Sequence, residues 1–322
     1  MSVRVAAAAL SLGTLSLGLA ACGSSAASGE SITLYNGQHL QTTNALVVAF
    51  EKKTGIQVNV RTDDEDVLAD QIVAEGSRSP ADVIFTENSP ALEFLQSKHL
   101  LSAIDQSTLP ATQRRYDSPS DHWIGVSARV SVLIYNPSIV PADQLPTSVL
   151  QLADPQWKGK LAIAAGETDF QPIVTSVIRT DGEAVALKWL EGLKANAGSH
   201  VYPDNETITS QVNSGQAGIG IINQYYWYRE QAAVGKANMH SKLAYFAPHD
   251  PGYVINVSGA AVLASSHHQA AAQRFVAFMA SRAGQEIIAH SDSFEYPIDS
   301  GVHSATDETP FDQLQPNSIT IA

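Results

Sequence analysis

Apolar and polar positions along the chain follow two alternating periods, and their order predicts an α/β protein. Ser31-Ile32-Thr33-Leu34-Tyr35 alternates with the two-residue period of a strand and breaks at Asn36-Gly37. Leu46, Ala49 and Phe50 then recur at helical spacing, with Thr42 or Thr43 as the expected cap and Gly55 as the stop. Ile56-Gln57-Val58-Asn59-Val60 reads as a second strand. The next helix is predicted to bury a stripe of Val67, Leu68, Ile72 and Val73. Ala81-Asp82-Val83-Ile84-Phe85 is a third strand, ending at Thr86-Glu87-Asn88. Strand and helix in this alternation build a largely parallel sheet with right-handed crossovers.

Two later β runs, 127–135 and 254–263, are long enough to cross from one lobe into another. Between them lies a second α/β set, with Lys160 to Ala165 as a strand and Ala184 to Leu193 as a helix. Its last strand is Ala217-Gly218-Ile219-Gly220-Ile221-Ile222, directly before Asn223-Gln224-Tyr225-Tyr226-Trp227-Tyr228. A helix around Ala271 to Ala280 places Ala272, Phe275, Val276 and Met279 on one face. The expected fold class is α/β: two lobes, each a mixed sheet flanked by helices, joined by a hinge of two crossing strands. The first lobe takes residues 31–130 and 256–300 and the second takes 131–255. Residues 301–322 are expected to pack on the second lobe.

Composition adds the compartment. The chain has 322 residues, 44% hydrophobic and 16% charged, as in a folded globular protein, with a net charge of -13 and no long basic run. That argues against a nucleic-acid partner. Arg4 precedes the acid-free apolar segment Val5 to Ala21, which ends in Leu19-Ala20-Ala21-Cys22. This resembles a bacterial lipoprotein signal, so residues 1–21 are expected to be removed and Cys22 lipidated. Residues 22–30 would be the tether, and the protein would work outside the cell membrane, anchored to its outer face. Cys22 is the only cysteine, so neither an internal disulfide nor a cysteine metal site can form.

Ligands of open α/β sheets bind at the carboxyl ends of strands. Three loops meet that condition: Tyr35-Asn36-Gly37-Gln38-His39, Thr86-Glu87-Asn88, and the paired tyrosines after 217–222. Tyr225 and Tyr226 are either an aromatic wall or a pair of hard oxygen ligands. One carboxylate and two phenolates would carry three negative charges beside a neutral imidazole. Ionising a phenol of pKa near 10 at pH 7 costs about 4 kcal/mol, which only a highly charged cation can offset twice. Hard cations favour oxygen donors, and tyrosinate is a known ferric ligand. The ligand these residue types suit is iron(III).

The same stretches resemble the periplasmic ferric-ion-binding proteins, the solute receptors of bacterial iron ABC transporters. The matching motifs are Tyr35-Asn36-Gly37-Gln38-His39, Pro80-Ala81-Asp82-Val83 with Thr86-Glu87, and Trp157-Lys158-Gly159-Lys160. Ile222 through Tyr228, and Asp250-Pro251-Gly252 through Leu263, complete the set. The resemblance implies the two-lobed class II periplasmic-binding-protein fold, with His39, Glu87, Tyr225 and Tyr226 as iron ligands. It also implies a monomer that binds ferric iron or a small ferric chelate and hands it to an ABC permease, and no catalysis.

Such proteins complete the iron coordination with a synergistic anion held by a Ser-Gly-Ala turn. Here that turn reads Gly166-Glu167-Thr168-Asp169-Phe170, which would repel an anion. Asn205 and Asn223 match the anion-contacting asparagines, and Asn88 replaces a glutamine. The expectation is a weaker dependence on phosphate than in those proteins. Carbonate, citrate, water, or Glu167 or Asp169 itself would fill the remaining positions, unless both acids face solvent. Arg129 is expected to hold the hinge or contact an anion. Asp63-Asp64-Glu65-Asp66 reads as a solvated loop and first helical turn, and His267-His268 as an exposed pair before a helix. The alternatives are an organic solute or oxyanion on the same scaffold, or a tyrosinate-iron enzyme.

Overall fold

A computed structural model describes residues 29–109 and 116–318. The expected signal peptide, residues 1–21, and the lipidation site Cys22 lie outside the described residues. Strand β1 (Ser31–Asn36) pairs in parallel with β2 (Gln57–Thr62) and with β3 (Val83–Thr86). The longest strand, β4 (Ile124–Tyr135), has twelve residues, all buried. β5 (Leu161–Ala162), β6 (Ile219–Asn223) and β7 (Lys242–Ala244) belong to the second half, and β8 (Ile255–Val262) and β9 (Tyr296–Pro297) return to the first. The strand order is β2-β1-β3-β8-β4-β6-β5, with β7 and β9 also paired to β4.

β4 makes the two expected sheets one. Its residues Ile124 to Val130 pair antiparallel with β8, and Ser131 to Tyr135 pair antiparallel with β6. Twelve residues of strand span roughly 40 Å, enough to run through both halves. The two expected mixed sheets thus join through β4 into one continuous curled strand order, with β8 beside its first half.

Helices cover both faces. α1 (Leu40–Thr54), α8 (Gln269–Ala280) and α9 (Arg282–Ala289) pack on Ile32, Leu34, Phe85, Val126 and Val262. α2 (Glu65–Glu75) and α3 (Ser89–Ser97) cover the opposite face, with Tyr35, Ile84 and Ala261. The two-residue strand period accounts for that division: Leu34 and Tyr35 are neighbours in sequence and point to different cores. In the second half, α4 (Gln171–Asp181), α5 (Glu183–Ala197), α6 (Asn205–Asn213) and α7 (Gln224–Val234) enclose Val132, Ile134, Leu161 and Ile221.

Local expectations shift in several places. α1 begins at Leu40, so Thr42 and Thr43 lie inside it, buried, and the helix has no side-chain cap. The Thr43 hydroxyl is used elsewhere, donating to Asn36 Oδ1 at 2.7 Å. The stripe of α2 is Leu68, Ala69 and Ile72, while Val67 and Val73 are exposed. The strand expected over 160–165 shortens to β5 plus an isolated bridge at Ile163. Helices α3, α4, α6 and α9, of eight to eleven residues, were not anticipated.

β8 runs so close to its cover that side chains do not fit everywhere. A Cβ on Gly259 would lie 2.5 Å from Leu92 Cδ1 and 3.0 Å from the Ile124 carbonyl oxygen. Gly259→Ala should therefore destabilise the protein by roughly 1–3 kcal/mol, the usual cost of overpacking. Urea unfolding of the two proteins checks this.

Candidate metal centre

Each candidate ligand leaves the end of a strand or opens a helix. His39 follows β1 and stands at the start of α1. The loop that carries it is pinned: Asn36 Nδ2 donates to the Gln38 carbonyl at 2.7 Å, and the Gly37 amide donates to the Phe85 carbonyl at 2.7 Å. Only glycine fits at 37, because a Cβ there would sit 2.7 Å from Glu65 Cβ. Glu87 follows β3, and Tyr225 and Tyr226 open α7 directly after β6.

These four residues converge. His39 Nε2 lies 3.1 Å from Glu87 Oε1, and the Tyr225 hydroxyl donates to the same oxygen at 3.3 Å. The Tyr225 and Tyr226 rings are 4.0 Å apart at their centroids, and the His39 ring meets Tyr225 edge-on at 5.4 Å. Of the two phenols, Tyr225 reaches Glu87 of the other half, while Tyr226 turns to Glu167 and Asp169 of its own half. Tyr225 and Tyr226 are both buried.

Glu167 and Asp169 face inward, not toward solvent. The Tyr226 hydroxyl lies 3.0 Å from Glu167 Oε1 and 3.0 Å from Asp169 Oδ2. The Tyr225 hydroxyl reaches Asp169 Oδ2 at 3.5 Å, and Asn205 Nδ2 donates to it at 3.4 Å. Asp169 thus presents its carboxylate to both phenols and to one of the asparagines expected to hold an anion. Thr168 between the two acids is exposed at the cleft rim. Asn223 accepts from Ser131 Oγ at 3.4 Å, and its buried Nδ2 has no partner.

One cation balances the buried acids. Arg129, from the middle of β4, is fully buried, and its Nε donates to Asp169 Oδ1 at 3.2 Å. Its Nη1 donates to Glu295 Oε1 at 3.1 Å and its Nη2 to Asn88 Oδ1 at 2.6 Å, while Glu87 Oε1 lies 3.8 Å from Nη2. Asn88 in turn donates its side-chain and backbone N–H groups to Glu65, at 2.9 and 2.8 Å. Glu65 is therefore drawn into the loop network, unlike exposed Asp63, Asp64 and Asp66. His267 and His268 are exposed as expected, although His268 Nδ1 also lies 3.2 Å from Asp82.

Two residues of the site were missed by sequence reasoning. Glu295 is buried, takes hydrogen bonds from Ser127 Oγ at 2.6 Å and Gln38 Nε2 at 3.2 Å, and lies 3.8 Å from His39 Nδ1. Ligand atoms of His39, Glu87 and Glu295 fall within 4.8 Å of one another. An acid between two aromatics in Phe294-Glu295-Tyr296 was the available signal. Arg229 is four residues past Tyr225, hence on the same helix face, with its guanidinium 4.5 Å over the Tyr225 ring.

Burial governs the protonation of the site. It pushes the Tyr225 and Tyr226 hydroxyls well above the ordinary phenol range, and the neighbouring carboxylates, Asp169 first, push them further. Burial raises Glu87, and raises Glu167 to about 8 with help from Asp169. Burial lowers His39 to about 4, keeping its imidazole neutral. Neutral imidazole, phenols and protonatable carboxyls can exchange protons for a multiply charged cation. The site opens into a cavity of about 800 Å³, with Asp63, Asp64, Glu65 and Asp66 on one side and Glu167 and Pro203 on the other.

The fold is that of a two-lobed class II periplasmic binding protein, with the cleft residues at the junction of its two halves. The chain belongs to the family of bacterial extracellular solute-binding proteins, matched over residues 36–286. It is 39% identical over 303 residues to the Fe(3+)-binding periplasmic protein of Serratia marcescens, covering 94% of this chain and 89% of that protein. Iron-bound HitA from Pseudomonas aeruginosa superposes with a TM-score of 0.84 at 41% identity, covering 90% of this chain and 94% of HitA. A Trichodesmium protein in complex with iron and citrate superposes at 0.76 with 29% identity, covering 86% and 89% of the two chains.

Removing the central cation should be costly. Arg129→Met leaves Asp169 and Glu295 buried without their partner and should lose about 3–5 kcal/mol of stability in chemical unfolding. The iron-free protein should also respond to pH. Glu167 has a raised folded pKa, so its contribution is full below the ordinary value of 4.5 and is lost as pH rises through about 8. His39 has a lowered folded pKa, so its contribution is full above 6.5 and is lost as pH falls through about 4. The two oppose each other between about pH 4.5 and 6.5, and only the Glu167 loss acts from there to about 8. Glu167→Gln should flatten that upper decline in thermal midpoints measured across the range.

Proposed function

We propose that this protein is an extracytoplasmic receptor for ferric iron, with His39, Glu87, Tyr225 and Tyr226 as the metal ligands. The observation that carries this reading is the convergence of one imidazole, one carboxylate and two buried phenols from opposite halves of the sheet. The names of the Serratia and Pseudomonas proteins support it. Both phenols donate hydrogen bonds to acids within the site. Iron(III) would take the place of those phenolic protons, and loading the protein would release them.

Asp169 is the built-in counterpart of a synergistic anion. Its carboxylate touches both phenols and Asn205, and Arg129 holds it from behind. Glu167 stands beside it and reaches Tyr226. A bound phosphate, carbonate or citrate would have to displace or repel these acids. Iron uptake therefore needs no added anion, and Asn88, Asn223 and Thr168 serve the loops and the rim.

The seat joins two lobes, residues 31–130 with 256–300 and residues 131–255, which hinge on β4 and β8 and carry 301–322 along. A ligand shared across them favours the closed state through its differential affinity, and a membrane permease of the ABC type can read closure. The binding proteins among its relatives favour a receptor over an enzyme. The Leu19-Ala20-Ala21-Cys22 motif supports a lipid anchor.

Adding ferric citrate to the purified mature protein should produce a visible tyrosinate-to-iron charge-transfer band. Tyr225→Phe and Tyr226→Phe should each weaken it, and the double variant should abolish it. The band should form equally with and without phosphate or carbonate, and Asp169→Asn should make uptake depend on them. No band in the wild type would remove the iron reading. An absolute phosphate requirement would remove only the role given to Asp169.

A further inference from the structure

Away from the cleft, the stretch between β9 and the C-terminus encloses a small second cavity of about 100 Å³. Ser304, Thr306, Glu308 and Tyr296 are among its lining residues. Ser304, Thr306 and Glu308 lie on a bent, irregular segment, and all three line this cavity. Ser304 Oγ, Thr306 Oγ1 and both carboxylate oxygens of Glu308 are buried, and none completes a hydrogen bond. Native proteins rarely bury four polar oxygens this way without a partner.

The missing partner has a definite chemistry. Ser304, Thr306, Tyr296 and Gln224 all turn polar groups toward Glu308, although Tyr296 is shared with the Tyr245 hydroxyl at 3.2 Å and Gln224 Nε2 with the Phe294 carbonyl at 3.2 Å. Among the described residues no salt bridge reaches Glu308, and Lys236 Nζ lies 3.6 Å from its exposed neighbour Asp307. Burial alone raises the Glu308 carboxyl to about 7, as expected of an acid lacking a cation. The convergent side-chain atoms are mainly oxygens, and the cavity has room for an ion with a few waters.

We propose that Ser304, Thr306 and Glu308, closed over by Tyr296, form a site for a hard divalent cation of the calcium class. Calcium takes six to eight oxygen ligands in flexible geometry and tolerates a site with one carboxylate completed by hydroxyls and water. Magnesium demands a stricter octahedron and gives up its water reluctantly. A cation here would staple an otherwise irregular segment to β9 and to Gln224, the first residue of the helix that carries the paired tyrosines. With a single carboxylate the affinity should be that of an extracellular module, a dissociation constant of roughly 0.1–1 mM.

The test uses the whole mature protein, stripped of metal and titrated with calcium chloride at constant ionic strength, followed by calorimetry and thermal unfolding. Calcium should bind saturably and raise the unfolding midpoint, magnesium should do so weakly, and Glu308→Gln should abolish the response. Ser304→Ala combined with Thr306→Val keeps the carboxylate and should weaken binding, which decides the matter should Glu308→Gln fail to fold. Glu87→Gln in the cleft should leave the calcium response intact, and Glu308→Gln should leave the iron charge-transfer band intact. No calcium response, a response surviving in Glu308→Gln, or one lost in Glu87→Gln would each overturn the site. A stronger response to zinc, carried by the exposed His303 at the cavity, would overturn the ion class.

Discussion

The buried guanidinium of Arg129 is the constraint on which the rest of the molecule depends. It sits at the centre of β4 and binds acids from distant parts of the chain, Asp169 at 3.2 Å and Glu295 at 3.1 Å, with Glu87 nearby at 3.8 Å. An isolated buried carboxylate would be neutral or would unfold the structure around it. Around Arg129 several can be held close together, and it cannot give up its proton. The ligand seat is therefore inseparable from the spine of the fold.

That arrangement also lets phenols, acids and an imidazole sit together without carrying their full charge. The phenols stay protonated because burial and the adjacent acids oppose their ionisation. His39 stays neutral because burial and the two nearby arginines oppose its protonation. Charge appears only as protons leave, and the hydrogen bonds from the phenols to the acids hold the protonated groups together. The acidic wall of Asp63 to Asp66 lies at the mouth of this seat and favours the approach of cations over anions.

Much of this was legible in the residues. The strand–helix order from Ser31 to Phe85, the two crossing strands, and the placement of His39, Glu87, Tyr225 and Tyr226 at strand ends follow from periodicity, because burial on a regular element imposes its period. Short or weakly periodic elements were less visible. β5 contributes two residues, and α6 opens with buried Asn205, a polar residue whose role depends on Asp169. Caps were misplaced where a threonine hydroxyl found a partner in a neighbouring loop, as Thr43 does with Asn36.

By itself the sequence determined the fold class and the strand–helix order that sets the paired tyrosines at the end of a strand, which are local patterns of side-chain type. Tertiary structure alone decided which acids join them. Glu295 stands 70 residues past Tyr225 and reaches the site because β9 returns to pair with β4. Glu167 and Asp169 were equally compatible with solvent until the loop after β5 turned them onto Tyr226 and Arg129. The reason is physical: a strand period reports which face a residue takes. Only the packing of distant segments decides which charges must share a single buried counter-ion.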